Sequence, residues 1–284
     1  VLKKLHGSFA LGIIFKEHPD LIVDLPGAFE VIFNDEDSKK VNLDASKGLI
    51  KGSAVNFYGP DVTTEDVDFY YSEIKKVPNP KKPISLGLNS KLIKENGKLV
   101  EKVWKLGGMY NKEIKNIIYW LSKASEVAEN EKQKEGFELL IKYYETGDLS
   151  IWDQYNVAWV ETVKGDVDYI NGFIEVYNDP KGYRGSYESV VQIKDFEMSK
   201  KMDALSENAQ WFEDNSPIME KHKKNNVVGI SYNTVNVASE AGDASPSTPI
   251  GINLPNANWI RVEHGSKSIS LGNILYAYGN AGSS

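Results

Sequence analysis

The chain of 284 residues carries 33 basic and 40 acidic side chains, a net charge of −7, with no basic cluster, and this argues against nucleic acid as a partner. Cysteine is absent, which removes disulfides and thiolate metal sites while leaving the compartment open. An apolar fraction of 41% and a charged fraction of 26% describe a globular chain, long enough for one large domain or two ordinary ones, without an apolar run of membrane-spanning length. The first residue is Val1 and no secretory signal opens the text, so the chain is expected to be processed or part of a longer polypeptide.

In chain order, residues 1–50 read loosely as helical pieces broken at Pro19 and Pro26. Thr63, with Asp66 three positions on, can cap a helix whose apolar face is Val67, Tyr70, Tyr71 and Ile74. The text 90–104 predicts a hairpin, because Asn96-Gly97 suits the positive backbone angles of a tight turn. Two amphipathic helices follow, one carrying Ile114, Ile117, Ile118, Leu121 and Ala128, the other Phe137, Leu140, Ile141 and Tyr144 before a stop at Gly147. Trp152, Tyr155 and Trp159 have the spacing of a helical packing face, and core is the expectation for them rather than a sugar platform.

Residues 167–177 have strand composition and close on the turn text NDPKG. A long helix is then expected, with Met198, Met202, Leu205, Ala209 and Phe212 on a shared stripe before Pro217. Residues 226–238 read as another strand, and SISLGNILYAY as the start of a last helix. The text PSTPIGINLPNANW holds a short extended run fenced by Pro249 and Pro255, which places it at a sheet edge, since proline cannot donate to a ladder. The class is α+β, with strands and helices in irregular alternation.

The histidines His6, His18, His222 and His264 have no metal-ligand spacing, and surface positions are expected for all four. Nucleophile-elbow, phosphate-loop and dinucleotide motifs are absent from the text. Alternation puts Phe173, Glu175 and Tyr177 on one side of their strand. Glu175 and Tyr177 are either its solvated face or a cation-binding acid beside a donor able to polarise a carbonyl. Asn253 and Asn256 are either turn caps or holders of a ligand's polar end, with the edge strand pairing to its backbone.

The strings NGFIEVYNDPKGYRGSYE, STPIGINLPNANWIR and KSISLGNIL, together with LNSKLIKENGKLVEKVW and GDLSIWDQYNVAW, resemble the dipeptidyl peptidase III family, its bacterial branch most closely. The resemblance runs from about Ser53 to Tyr278. It implies a zinc-dependent exopeptidase that removes dipeptides from the N-termini of short peptides, with two lobes beside a cleft, one of them built around a five-stranded β-barrel. Residues 1–195 and 237–284 would belong to that barrel lobe, and 196–236 would be a helical excursion toward the zinc-bearing lobe. The family's His-Glu-x-x-Gly-His motif would follow the text present here, so zinc belongs to the complete enzyme, its ligands are absent from this chain, and this chain alone is expected to be inactive.

By the same resemblance Glu175 binds the peptide's ammonium and Tyr177 steadies the oxyanion at the scissile carbonyl. Gly251, Asn253 and Asn256 line the edge strand that receives the peptide. The implied partners are short peptides with a free N-terminus and the missing zinc-bearing segment of the same protein. The cytoplasm is the expected compartment, with export the alternative. A reading of a different class is a non-catalytic peptide-binding or structural module that lacks the metal half.

Overall fold

The structure is a computed structural model, and it describes residues 41–53, 55–74, 79–227, 230–245 and 248–281. The expected breaks at Pro19 and Pro26 lie outside the described residues.

Helix α1 (Thr64–Ile74) starts where the capping pair predicts. The Thr63 amide donates to Asp66 Oδ2 at 2.8 Å and the Asp66 amide to Thr63 Oγ1 at 3.2 Å, so two amides without helical partners are satisfied reciprocally. Strands β1 (Ser90–Glu95) and β2 (Lys98–Val103) form the hairpin, with φ of 51° at Asn96 and 75° at Gly97. Helices α2 (Asn111–Glu126), α3 (Glu131–Thr146) and α4 (Leu149–Glu161) follow. Gly147, with φ 71°, ends α3, and two residues later α4 begins under the Asp148 cap, whose carboxylate accepts from the Ser150 amide at 2.8 Å.

The main sheet contains β3 (Val167–Glu175), β4 (Ser186–Lys194), β5 (Ile230–Gly242), β6 (Gly251–Leu254) and β7 (Ser266–Leu271) in the order β3-β4-β5-β7-β6. All pairings are antiparallel except β5 with β7. Between β4 and β5 lie α5 (Phe196–Glu207) and α6 (Ala209–Asp214), while α7 (Asn258–Glu263) joins β6 to β7 and α8 (Gly272–Ala281) follows β7. Trp152, Tyr155 and Trp159 of α4 join Phe137, Leu140 and Tyr144 of α3 in packing onto β3, so the aromatic helix is core as expected. A second cluster gathers Ile50, Tyr58, Val62, Val67, Tyr71 and Leu92.

Four expectations need correction. First, the mixed α and β content stands, but neither sheet of the described residues closes into a barrel. Closure demands a hydrogen-bonded register between the first and last strands, and here β3 and the four-residue β6 remain edges. Second, β4 sits where the sequence showed no strand. Its pattern is inverted: the polar Gln192 is buried, whereas Val191 and Ile193 are 38% and 46% exposed. A register shift between Val191 and Gln192 accompanies this inversion.

Third, the long helix expected after it is two helices meeting at Asn208, and the Met198, Leu205 and Phe212 stripe is exposed. The buried residue of α5 is Ser199, whose hydroxyl donates to the Thr234 carbonyl at 2.9 Å. Fourth, SISL belongs to strand β7 rather than to the start of a helix, because β5 and β6 offer it backbone partners on both sides. The helix begins at Gly272.

Candidate functional site

The two edge strands β3 and β6 both border one cavity of about 1200 Å³. Its walls include Trp152, Tyr155 and Trp159 from α4, Ile170 and Ile174 from β3, and Leu254 from β6. Gly172 lets α4 come this close: a Cβ there would stand 2.5 Å from the Trp152 ring.

Glu175, Tyr177 and Asn256 line the same cavity. Strict alternation would have kept Glu175 with Phe173, but the pairing shifts between these two residues, with Ile174 as the extra one. Phe173 turns into the core against Trp104, with ring centroids 4.7 Å apart, while Ile174 and Glu175 line the cavity together. The expected shared face of Phe173, Glu175 and Tyr177 is therefore broken at the bulge. Glu175 and Tyr177 nonetheless meet, and the carboxylate beside the phenol raises the Tyr177 pKa above its ordinary value.

Asn256 comes from the chain just beyond β6. Its Nδ2 donates to Glu175 Oε1 at 3.1 Å, linking two residues 81 positions apart across the two sheet edges. Asn253 and Gly251 sit earlier on β6, opposite Ser268 and Ser270, and both are exposed. Neither lines the cavity, so Asn253 does not join the Glu175–Asn256 contact. The outer edge of β6 has no strand partner among the described residues. A Cβ on Gly251 would lie 3.1 Å from the Ile269 carbonyl oxygen of β7, so packing within the sheet already favours glycine there.

Sequence reading missed Glu188, on β4. Burial first, then the Glu175 and Asp243 charges, push its carboxyl up to about 7. Nearby, Asn178 Nδ2 donates to Ser186 Oγ at 2.9 Å and to Asp243 at 3.2 Å. The cavity lining thus carries one acid, Glu175, with an amide and a phenol beside an apolar wall, and Glu188 acts electrostatically on that acid from β4. That combination suits a small cation carrying several N–H donors. Among the described residues no three His, Asp or Glu side chains converge as a metal site. His222 is exposed, and His264 Nδ1 lies 3.3 Å from Glu161 Oε1.

Comparison with known proteins sets the class as that of a peptidase fold and places the chain in a family. The model of peptidase family M49 matches residues 62–283, and the chain belongs to that family. Among curated relatives, dipeptidyl peptidase 3 of Dictyostelium discoideum is 31% identical over 170 residues, which is 60% of this chain and 24% of that protein. The Homo sapiens dipeptidyl peptidase 3 is 29% identical over 168 residues, 59% of this chain and 22% of the relative. The chain therefore spans about a quarter of the length of these relatives. The solved structure of DPP III from Caldithrix abyssi superposes with a TM-score of 0.66 at 24% identity, covering 80% of this chain and 42% of that one, and shares its fold.

Proposed function

We propose that this chain is the substrate-binding portion of a zinc-dependent dipeptidyl peptidase, which removes dipeptides from the N-termini of short peptides. The observation that carries the reading is the Glu175–Asn256 hydrogen bond across the cavity. In the peptide-bound state Glu175 takes the terminal ammonium, with Asn256 as its neighbour, and Tyr177 directs its hydroxyl to a substrate carbonyl. The peptide extends along the free edge of β6 past Gly251 and Asn253, pairing main chain to main chain. Zinc in the complete enzyme would be held by residues outside those described here, and the described residues bind and orient the peptide. The excursion of α5 and α6 exposes Trp211, Phe212 and Met219, a surface suited to the remainder of the enzyme.

The test is calorimetric titration of the 284-residue chain with a tetrapeptide, free or acetylated at its N-terminus. The free peptide should bind at least about tenfold more tightly, and Glu175→Gln should abolish the difference. Equal affinities would sink the assignment of Glu175 as the ammonium-binding acid.

A further inference from the structure

Tyr177 is 74% exposed, so side-chain packing does little to hold it, and its place depends on the backbone that follows β3. That backbone is organised by one buried carboxylate. The Asp179 amide donates to the Val176 carbonyl at 3.0 Å, and the Gly182 amide to the Asp179 carbonyl at 3.0 Å. The carboxylate accepts from the Lys181, Tyr183 and Arg184 amides, each at 2.9 Å. The Tyr58 phenol then donates across both oxygens, at 2.9 and 2.8 Å. Asp179 is 5% exposed and Tyr58 6%, so the unit is sealed from water. Burial pushes the Tyr58 phenol well above its ordinary range and keeps it a donor.

Tyr58 is itself anchored. It forms a parallel bridge with Leu92 of the hairpin, with the Leu92 amide on the Phe57 carbonyl at 3.1 Å and the Gly59 amide on the Leu92 carbonyl at 2.8 Å. The Arg184 guanidinium packs 4.9 Å from the Tyr58 ring and 5.0 Å from the Tyr71 ring, with Glu101 Oε1 3.7 Å away as counter-charge. The Gly185 amide closes the far end on the Leu88 carbonyl at 2.8 Å. The connection between β3 and β4 is thus clamped onto the second hydrophobic cluster, and Tyr58 lies ahead of the stretch that matches the family model.

We propose that Asp179 and Tyr58 are positioning residues of the peptide site: their bond locks the β3–β4 connection so that Tyr177 stays against Glu175. The proposal rests on the peptide-binding reading for its purpose, but the lock is testable without peptide. The readout is the titration of Tyr177, followed by NMR with tyrosine labelled at Cζ and assigned through Tyr177→Phe. Of the charged groups, Glu175 and then Glu188 raise that titration. Glu175→Gln supplies the reference position for a phenol freed of its carboxylate neighbour.

Tyr58→Phe removes one hydroxyl from a packed ring, and Asp179→Asn removes the charge that holds three amides. Both should shift Tyr177 toward its position in Glu175→Gln while cooperative unfolding persists, and both should weaken binding of a free-amine tetrapeptide roughly tenfold or more. A Tyr177 titration unchanged in a cooperatively folded Tyr58→Phe chain would overturn the lock. If Asp179→Asn does not fold, Tyr58→Phe decides alone. If the wild-type chain fails to distinguish free from acetylated peptide, the peptide reading falls, while the titration still judges the lock.

Discussion

At the scale of single residues, the most perturbed acid beside Glu175 is Glu188 on β4. Glu188 has its carboxyl pushed up to about 7 from an ordinary value near 4.5, with burial the first cause and Glu175 and Asp243 following. A raised acid binds more protons in the folded than in the unfolded state, so between pH 4.5 and about 7 folding stability falls as pH rises. Glu188→Gln should flatten that slope and leave the chain more stable at pH 8 by about 1–2 kcal/mol, after allowance for solvent screening. Urea unfolding at a series of pH values measures it, and a slope unchanged in the variant would show that Glu188 ionises freely. Tyr177 carries a kinetic prediction. In the complete enzyme Tyr177→Phe should lower kcat by roughly a hundredfold with little change in KM, because the role proposed for it is a hydrogen bond that strengthens as charge develops on the carbonyl oxygen. An unaltered kcat would reduce Tyr177 to a wall residue.

At the scale of elements, the cavity exists because an aromatic helix lies directly on a strand. Gly172 is where they touch, and a Cβ there would come within 2.5 Å of one Trp152 ring atom and 2.7 Å of another. Gly172→Ala should therefore force the ring aside and cost about 1–3 kcal/mol, the usual range for overpacking. Denaturant midpoints give the cost, and tryptophan fluorescence should shift with it. Wild-type stability and spectrum together would mean that α4 can lift off β3 without penalty. The bulge at Ile174 matters equally. Were Ile174 paired in a regular ladder, Glu175 would follow Phe173 into the core, and the carboxylate would face Trp104 and Tyr144 instead of the opening.

At the scale of the whole molecule, the five-stranded sheet leaves two edges, and the opening lies between them. An edge strand with free backbone groups is hazardous unless something pairs with it. Pro249 and Pro255, which flank β6, limit that hazard, and the proposed peptide supplies the partner. The zinc chemistry proposed for the complete enzyme makes a plain expectation for this chain. After dialysis it should retain far less than one zinc ion per molecule, since a stable site needs three or four converging ligands. Metal analysis of the dialysed chain checks this, and stoichiometric zinc would overturn the division of labour between this chain and the rest of the enzyme.

Local structure was legible wherever neighbours in the chain decide it. The Thr63–Asp66 cap, the Asn96-Gly97 turn and the Gly147 stop all act over three or four residues, and all were readable from the text. The Glu175 and Asn256 pairing was readable too, but through resemblance of the strings rather than through their physics, because 81 residues separate them. What escaped was set by contacts between distant segments. Strand β4 buries Gln192 and exposes Val191 and Ile193, which no hydrophobic pattern announces. SISL becomes a strand because β5 and β6 flank it, and the expected barrel stays open because no ladder joins β3 to β6. By itself the sequence determined the caps, the turns, the aromatic core helix and the family. The tertiary structure alone decided the register, the bulge that turns Glu175 outward and the buried Tyr58–Asp179 bond, since each depends on which far-off backbone or side chain completes a hydrogen bond.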